Sequence, residues 1–287
     1  NWLALVNAEE GKRLAFAANG EAALSALWKD VEKEADVKDV HVSVMALNAN
    51  NAALVRRYVK WTAPTACGTK GASIGFSDWL GEADAVVAEL FGKRQLKPVL
   101  VDFTTEDSEA LQRYFVQAVD TATWGVLEEG YKEGYGANAA GLKTEEEIVK
   151  ALLYGYSMIG FDCSDKIDLG IEKLSDEAVD KRFEQFNETF RAALHASYLN
   201  AEFKVGTSKI TFTENQLHRI VLEYGEAIMH IQFIYNSYLK NTPWDIDFEL
   251  DLSKPGKVLT PQEHYLIGNE LQRNGIKLSS ICLDPLK

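Results

Sequence analysis

From about residue 97 onward, the sequence alternates short apolar runs with longer amphipathic runs, and this pattern constrains the fold more than any other feature. Four runs have the length and the β-branched or aromatic content of strands: KPVLVDF (97–103), YSMIGFD (156–162), WDIDFELDL (244–252) and IKLSSICL (276–283). Segments with helical periodicity separate them, the longest at about 106–134 and 214–240. Because strands that alternate with helices pair in parallel, the sequence predicts a parallel α/β sheet. Both a doubly wound sheet and a (β/α) barrel satisfy this pattern.

The amino-terminal segment has a different pattern. WLALV and RLAFAA flank the turn NAEEGK and predict a β-hairpin, and EAALSALWKDVEKEA (21–35) has helical periodicity. VHVSVMAL (40–47) predicts a buried strand, which we assign to the parallel sheet. The sequence therefore predicts a hairpin-plus-helix element over residues 1–38 and a barrel-like (β/α) domain, small or incomplete, over residues 39–287.

Charge and cysteine content narrow the classes of partner. The net charge of −13 disfavours nucleic acid and anionic membranes, which both select for clusters of Lys and Arg. No apolar run reaches the roughly 18 residues of a membrane span. The three cysteines are far apart and form no CxxC motif, so a reducing, cytoplasmic location is expected. A nucleotide cofactor is disfavoured because no GxGxxG or Walker motif is present.

Carboxylates follow the predicted strands. Sites in parallel sheets lie at the carboxyl ends of strands, where Asp102 follows KPVLV and Asp162 and Asp165 follow YSMIG. In WDIDFELDLS, three carboxylates share one face of the strand by its period of two: Asp247, Glu249 and Asp251. Burying such charges is costly unless they are paired or bind a metal. The face is either a site for a hard cation or sugar hydroxyls, or the wet face of an edge strand, and both interpretations stay open here.

Two further features give little chemistry on their own. None of the five histidines lies in HxH or HExxH spacing, so each is predicted to be structural or exposed. The segment TATWGVLEEGYKEGYGANAAGLK (121–143) predicts a helix that runs into a Gly-rich turn. The turn, GANAAGLK, has almost no side chains able to do chemistry.

That same segment carries a family resemblance. ATWGVLEEGYKEGYGANAAGLKTEEEI, followed by GYSMIGFDCSDKID, resembles the tagaturonate epimerase family, and ASIGFSDWLG, KPVLVDF, EAIMHIQFIY and DFELDLSKPGKVLTPQEHYLIGNELQRNGIKL support it in order and spacing. The resemblance covers about residues 55–287. It implies a metal-dependent enzyme that interconverts tagaturonate and fructuronate on a barrel-like α/β fold. Members of the family run well past the position of Lys287, through a segment with an HSGSDK-like motif, so the resemblance is to a divergent, C-terminally short relative.

The resemblance also implies roles for the polar positions that match. Asp162 and Glu249 are the implied ligands of a divalent metal. Asp165, Glu249 and Glu129 are the implied catalytic residues, and Asp78, Asp102 and His230 the implied substrate-binding residues. The implied substrate is a small sugar or sugar acid. Because the inverted carbon is β to the ketone, exchange of an α-proton is insufficient, and retro-aldol cleavage with metal polarisation of the carbonyl is one route.

Several positions depart from the family pattern. The family's ADADH is ANAAG here (137–141), so two carboxylates and a His become Asn138, Ala140 and Gly141. Other polar family residues are replaced at positions occupied here by Trp79, Val87, Glu106, Lys166 and Leu252-Ser253-Lys254. These changes support an alternative: a catalytically silent sugar-binding or interaction protein on the same scaffold. A sheet whose last strand is 276–283 either closes with fewer strands or pairs its open edge with a second copy, so a homo-oligomer is one expectation.

Overall fold

A computed structural model describes residues 1–19, 27–76, 78, 80–92, 96–111, 115–253 and 258–282. The chain divides into two compact units, residues 1–160 with 244–247, and residues 161–243 with 248–287. The predicted boundary after residue 38 stays a prediction. None of the described helices is both long and apolar enough to cross a bilayer.

Four antiparallel strands form a sheet at the amino terminus. They are β1 (Trp2–Ala8), β2 (Gly11–Asn19), β3 (Val31–Val37) and β4 (Val40–Met45), in the order β1-β2-β4-β3. The β1–β2 hairpin confirms the prediction. The helix predicted over 21–35 is wrong at its carboxyl end, where β3 begins, and residues 20–26 lie outside the described residues. The charges of β3 mimic a helical period because β3 is a largely exposed edge strand, on which Glu32 pairs with Arg13 at 2.8 Å.

The strand predicted at 40–47 exists, but its assignment to the parallel sheet is wrong. β4 pairs antiparallel with both β2 and β3. Its apolar face packs on helix α1 (Ala49–Tyr58) in a cluster of buried residues that includes Leu14, Phe16, Met45 and Trp124. The sequence of β4 has the composition of a buried strand because one face of β4 covers this core.

The remaining long strands form the predicted parallel sheet. Six strands lie in the order β12-β11-β8-β7-β6-β5: β5 (Ser73–Gly75), β6 (Lys97–Thr104), β7 (Gly136–Leu142), β8 (Met158–Asp162), β11 (Asp247–Asp251) and β12 (Ser280–Cys282). The strands predicted at 97–103, 156–162, 244–252 and 276–283 are confirmed, and so is the mixed α/β class with its parallel sheet. A short antiparallel pair, β9 (Phe203–Val205) and β10 (Ser208–Ile210), stands apart.

Helices connect these strands. They are α2 (Asp84–Phe91), α3 (Thr105–Leu111), α4 (Phe115–Glu129), α5 (Glu145–Tyr154), α6 (Asp176–Phe183), α7 (Glu188–Tyr198), α8 (Glu214–Ile234) and α9 (Pro261–Arg273). Of the helix predicted over 106–134, the structure describes the helical segments α3 and α4 up to Glu129, and residues 112–114 lie outside the described residues. The capping box predicted from Thr144 and Glu147 is present at the start of α5, and Gly155 ends that helix in the left-handed conformation.

The Gly-rich turn predicted at 136–143 is wrong, because residues 136–142 form β7, a buried strand inside the sheet. Its small side chains allow neighbouring groups to approach closely. A Cβ atom on Gly136 would lie 2.8 Å from Cys67 Sγ, and one on Gly160 would lie 3.0 Å from Ala140 Cα. Close packing therefore selects Gly and Ala here, against their low strand propensity.

A helical glycine in α4 gives a test of packing. We expect Gly125→Ala to lower the free energy of unfolding by about 1–3 kcal/mol, because overpacking outweighs the gain in helix propensity. The new Cβ would lie 2.7 Å from Asp84 Cβ and 2.8 Å from the backbone nitrogen of Ala85. Gly225→Ala in α8 is the matched control, since outside its own helix backbone no atom of the described residues lies within 4 Å of its Cβ position. The control is expected to gain about 0.5–1 kcal/mol in thermal or urea unfolding, and equal signs for the two variants would contradict the packing argument.

Candidate functional site

In the first compact unit, polar side chains meet where β6 pairs with β7, toward the carboxyl end of β6. Asp102, near the end of β6, accepts a 3.1 Å hydrogen bond from Asn138 Nδ2 on β7. The other amide atom, Asn138 Oδ1, is buried and has no hydrogen-bond partner among the described residues. Burial raises the pKa of Asp102, the hydrogen bond from Asn138 opposes this rise, and the charge of Asp107 adds to it. This end of the sheet therefore holds a carboxyl group that takes up a proton more readily than an exposed one.

Two neighbouring residues, Gly75 and Asp78, shape the surroundings of this carboxylate. A Cβ on Gly75 would lie 2.7 Å from Asp102 Oδ2, so the absence of a side chain on β5 makes room for it. Asp78 accepts backbone hydrogen bonds from Leu80, Gly81 and Ala83, which fix the loop that leads into α2. Asp78 and Asp102 line the same small cavity. The structure thus brings these two predicted substrate-binding residues together and gives Asp78 a structural task as well.

The burial of Asp102 predicts that its carboxylate lowers the stability of the fold. We expect Asp102→Asn to raise the melting temperature at neutral pH, because Asn keeps the acceptor for Asn138 and removes the cost of a buried charge. The pKa of Asp102 is raised in the folded state, so the protonated carboxyl group favours folding. This contribution to stability is lost as the pH rises through the folded-state pKa. The advantage of the variant should therefore disappear below the ordinary carboxyl pKa of 3.8.

Asp78→Asn is the matched control for this measurement. Its second carboxylate oxygen accepts from the backbone nitrogen of Ala83 at 2.6 Å, and an amide nitrogen there would face another donor. We expect a loss of about 0.5–2 kcal/mol, the usual cost of a lost backbone cap. A lower melting temperature for Asp102→Asn at neutral pH would show that the carboxylate is not a net cost to folding.

In the second unit, carboxylates lie on β8 and β11 and at their ends. The backbone nitrogen of Cys163 donates to the carbonyl of Asp251 at 3.2 Å, and this hydrogen bond joins the ends of the two strands. Asp162 accepts from Ser164 N at 2.8 Å, and Glu249 accepts from Ser280 Oγ on β12 at 2.7 Å. Asp162 and Glu249 are both half-buried. Because β11 lies between β8 and β12, the interpretation of β11 as an edge strand is wrong.

The third carboxylate on that face of β11 has a structural task. Asp247 is buried and belongs to the first unit. It accepts from the backbone nitrogens of Cys67 and Gly68, at 2.6 Å for Cys67, and so anchors the loop that contains these two residues. The opposite face of the strand is core, as predicted, with Phe248, Leu250 and Leu252 buried. The carboxylates of β11 therefore divide into an anchor and residues that remain candidates for chemistry.

The other predicted site residues are Asp165, His230 and Glu129. Asp165 is exposed in a short turn after β8, and its neighbour Lys166 pairs with Glu226 at 3.0 Å. His230 on α8 packs its ring against Phe161, with centroids 5.4 Å apart. Glu129 is exposed at the last residue of α4, which leads to the amino end of β7 rather than to a carboxyl end. Trp79 and Lys254 lie outside the described residues.

One group in the described part of the chain meets the distance criterion for a three-ligand metal site. It consists of His195, Glu214 and His218, whose donor atoms all lie within 4.8 Å of one another. Asp162, Asp165 and Glu249 do not form such a group. The sequence reasoning missed the histidine pair, although the spacing of Glu214 and His218, one helical turn apart, was a signal. It also missed Asn138 as the partner of Asp102, because β7 was predicted to be a turn.

A comparison with known families matches residues 1–284 to tagaturonate epimerase. The chain belongs to the tagaturonate epimerase family. It is 30% identical over 279 residues to the tagaturonate/fructuronate epimerase of Thermotoga maritima, covering 97% of this chain and 56% of that protein. The predicted resemblance is therefore confirmed.

Solved structures of the family share this fold. Crystal structures of the fructuronate-tagaturonate epimerase from Cohnella laeviribosi align with TM-scores of 0.86 for the native form and 0.87 for a complex with two glycerols. The identities are 30% and 31%, and each alignment covers 97% of this chain and 55% of that chain. The chain thus spans about half the length of the family members that it matches.

Proposed function

We propose that this chain carries part of an epimerase site that interconverts the ketouronates tagaturonate and fructuronate. The observation that carries the proposal is the match of residues 1–284 to the tagaturonate epimerase family. In the second unit, the half-buried carboxylates Asp162 and Glu249 support it, because they lie on or at the end of parallel strands, where such folds place their chemistry. In the first unit, the half-buried Asp102 on β6 supports it separately. Glu129, Asp165 and His230 are retained as further candidates: Glu129 and Asp165 are exposed, and His230 packs against Phe161, the residue before Asp162.

The reaction sets a requirement on these groups. The two ketouronates differ at a carbon β to the ketone, so the proton on that carbon is not acidified directly by the carbonyl. Retro-aldol cleavage meets the requirement: a base takes the hydroxyl proton at that carbon, and the adjacent carbon–carbon bond breaks to give an aldehyde and an enolate. Re-addition to the other aldehyde face and return of the proton invert the centre without net oxidation. In this route, Glu249 is the proposed proton carrier.

A divalent metal is part of the proposal. Asp162 and Glu249 would hold it, since carboxylate oxygens suit hard divalent cations, and both are fixed by hydrogen bonds from Ser164 and Ser280. When bound, such a metal supplies Lewis-acid polarisation of the ketone. The two carboxylates alone are fewer ligands than a full protein-only site, so this set calls for further oxygen ligands such as water or substrate.

A second candidate function follows from β7. At positions where the family pattern has ionisable residues, this chain has Asn138, Ala140 and Gly141, all within the strand β7. A catalytically silent sugar-binding or interaction protein on the same scaffold accounts for this loss. The two functions differ in turnover, so one assay separates them.

The decisive experiment is NMR of the purified chain with tagaturonate and with fructuronate, with and without added divalent metal. Tagatose and fructose serve as controls that lack the substrate carboxylate. Conversion of either uronate to the other supports the epimerase. Binding of a uronate without conversion supports the silent protein, and neither binding nor conversion under any metal condition rejects both.

A further inference from the structure

Helices α7 and α8 of the second unit bring a pair of histidines together. His195 on α7 and His218 on α8 lie with their Nε2 atoms 2.9 Å apart. A carboxylate oxygen of Glu214, on the first turn of α8, lies within 4.8 Å of a ring nitrogen on each. Two imidazoles and a carboxylate from two helices thus point at one place. The proposed epimerase chemistry at the strand ends uses none of them.

The geometry of α8 fixes two of the three groups. Glu214 and His218 are four residues apart, so they lie one above the other on the same face of the helix. A complete capping box, made by Thr213 and Gln216, sets where α8 begins and therefore where Glu214 lies. The backbone positions of both side chains are set before any ligand binds.

His218 is oriented as metal-binding histidines are. It is buried, and its Nδ1 lies 2.7 Å from Asp180 Oδ1 on α6. A carboxylate that accepts from Nδ1–H holds the neutral ring with its Nε2 lone pair directed outward, here toward His195. Phe183 stacks on the ring of His218, with centroids 3.8 Å apart, and on that of His195 at 5.5 Å. These contacts restrict rotation of both rings.

We propose that His195, Glu214 and His218 bind a divalent transition metal of the zinc type, with Asp180 positioning His218. Two imidazole nitrogens and one carboxylate oxygen form a donor set that favours Zn²⁺ and its transition-metal neighbours over Mg²⁺ or Ca²⁺. The metal takes the place of the proton shared by the two Nε2 atoms, and that proton is released to solvent. It links α7 to α8, and a water or another ligand completes the coordination.

The test is calorimetric titration of the EDTA-treated chain with Zn²⁺. We expect one zinc at this site, with affinity about 10–100-fold weaker in Asp180→Asn, which removes only the positioning carboxylate. His195→Ala should lose more than that, because it removes a ligand. His264→Ala, which removes an exposed histidine of α9, is the matched control and should bind zinc like the unaltered chain.

Thermal unfolding and two further variants complete the test. Zinc should raise the melting temperature of the unaltered chain and of His264→Ala, and leave that of His195→Ala unchanged. Glu214 is exposed, so Glu214→Gln tests the site without disturbing the core. Glu249→Gln should retain this zinc, which separates the site from the proposed strand-end metal. Absence of zinc binding, or equal binding by the unaltered chain, His195→Ala and Glu214→Gln, would overturn the proposal.

Discussion

Replacing Arg56 by Met is expected to lower the free energy of unfolding by about 3–5 kcal/mol, because it leaves a buried carboxylate without its counter-charge. Arg56 Nη1 donates to Asp120 Oδ1 and to Thr123 Oγ1, both at 2.8 Å. The side chains of Arg56 and Asp120 are only 12% and 9% exposed. Met fills a similar volume, so the measured loss reports the charge rather than a cavity. Urea unfolding at neutral pH measures it.

The pH dependence of this variant has a defined sign. Burial raises the pKa of Asp120, and the nearby Arg56 opposes that rise. Without Arg56 the folded-state pKa rises further, so the variant's stability is retained in acid and lost as pH increases through that value. The difference between the two proteins should therefore be largest near neutrality and shrink as the pH falls.

Two controls identify the cause. Lys150→Met breaks the ion pair with Glu146 at 2.6 Å, but both partners are exposed, so the melting temperature should change little. The double variant Arg56→Met with Asp120→Leu should recover much of the lost stability, because no buried charge is then left unpaired. Equal losses in Lys150→Met and Arg56→Met would rule out burial as the source of the effect.

Strand and helix patterns predicted the parallel sheet because local periodicity reports burial directly. KPVLVDF and WDIDFELDL carry apolar side chains that pack in the core, so their strands could be predicted from the sequence alone. The strand GANAAGL could not be predicted, since close packing there favours small side chains over β-branched or aromatic ones. Gly136, for example, is confined by Cys67 and Val99. The pairing partner of β4 was likewise invisible, because an antiparallel and a parallel buried strand have the same composition.

The candidate sites divide in the same way. Asp102 and Asp162 could be predicted because sites follow strand ends, which the sequence locates. The contact between Asp102 and Asn138 could not be predicted, because it depends on the register in which β6 pairs with β7. His195 and His218 are 23 residues apart on different helices, and packing of those helices, rather than any motif, joins them.

Glu249→Gln is expected to lower kcat/KM for ketouronate epimerisation by about 10²–10⁴-fold, the usual contribution of a residue that transfers a proton. Gln keeps the size of the side chain and an acceptor for Ser280 Oγ, so the fold should be unchanged. Glu188→Gln, at an exposed position in α7, is the matched control and should retain full activity. Glu129→Gln tests the catalytic role predicted for that residue, and its position at the amino end of β7 leads us to expect a small effect. Full activity of Glu249→Gln, measured by the NMR assay at several substrate concentrations, would remove Glu249 from the proposed proton transfer and metal site, because an amide can neither carry the proton nor supply the charge of a carboxylate ligand.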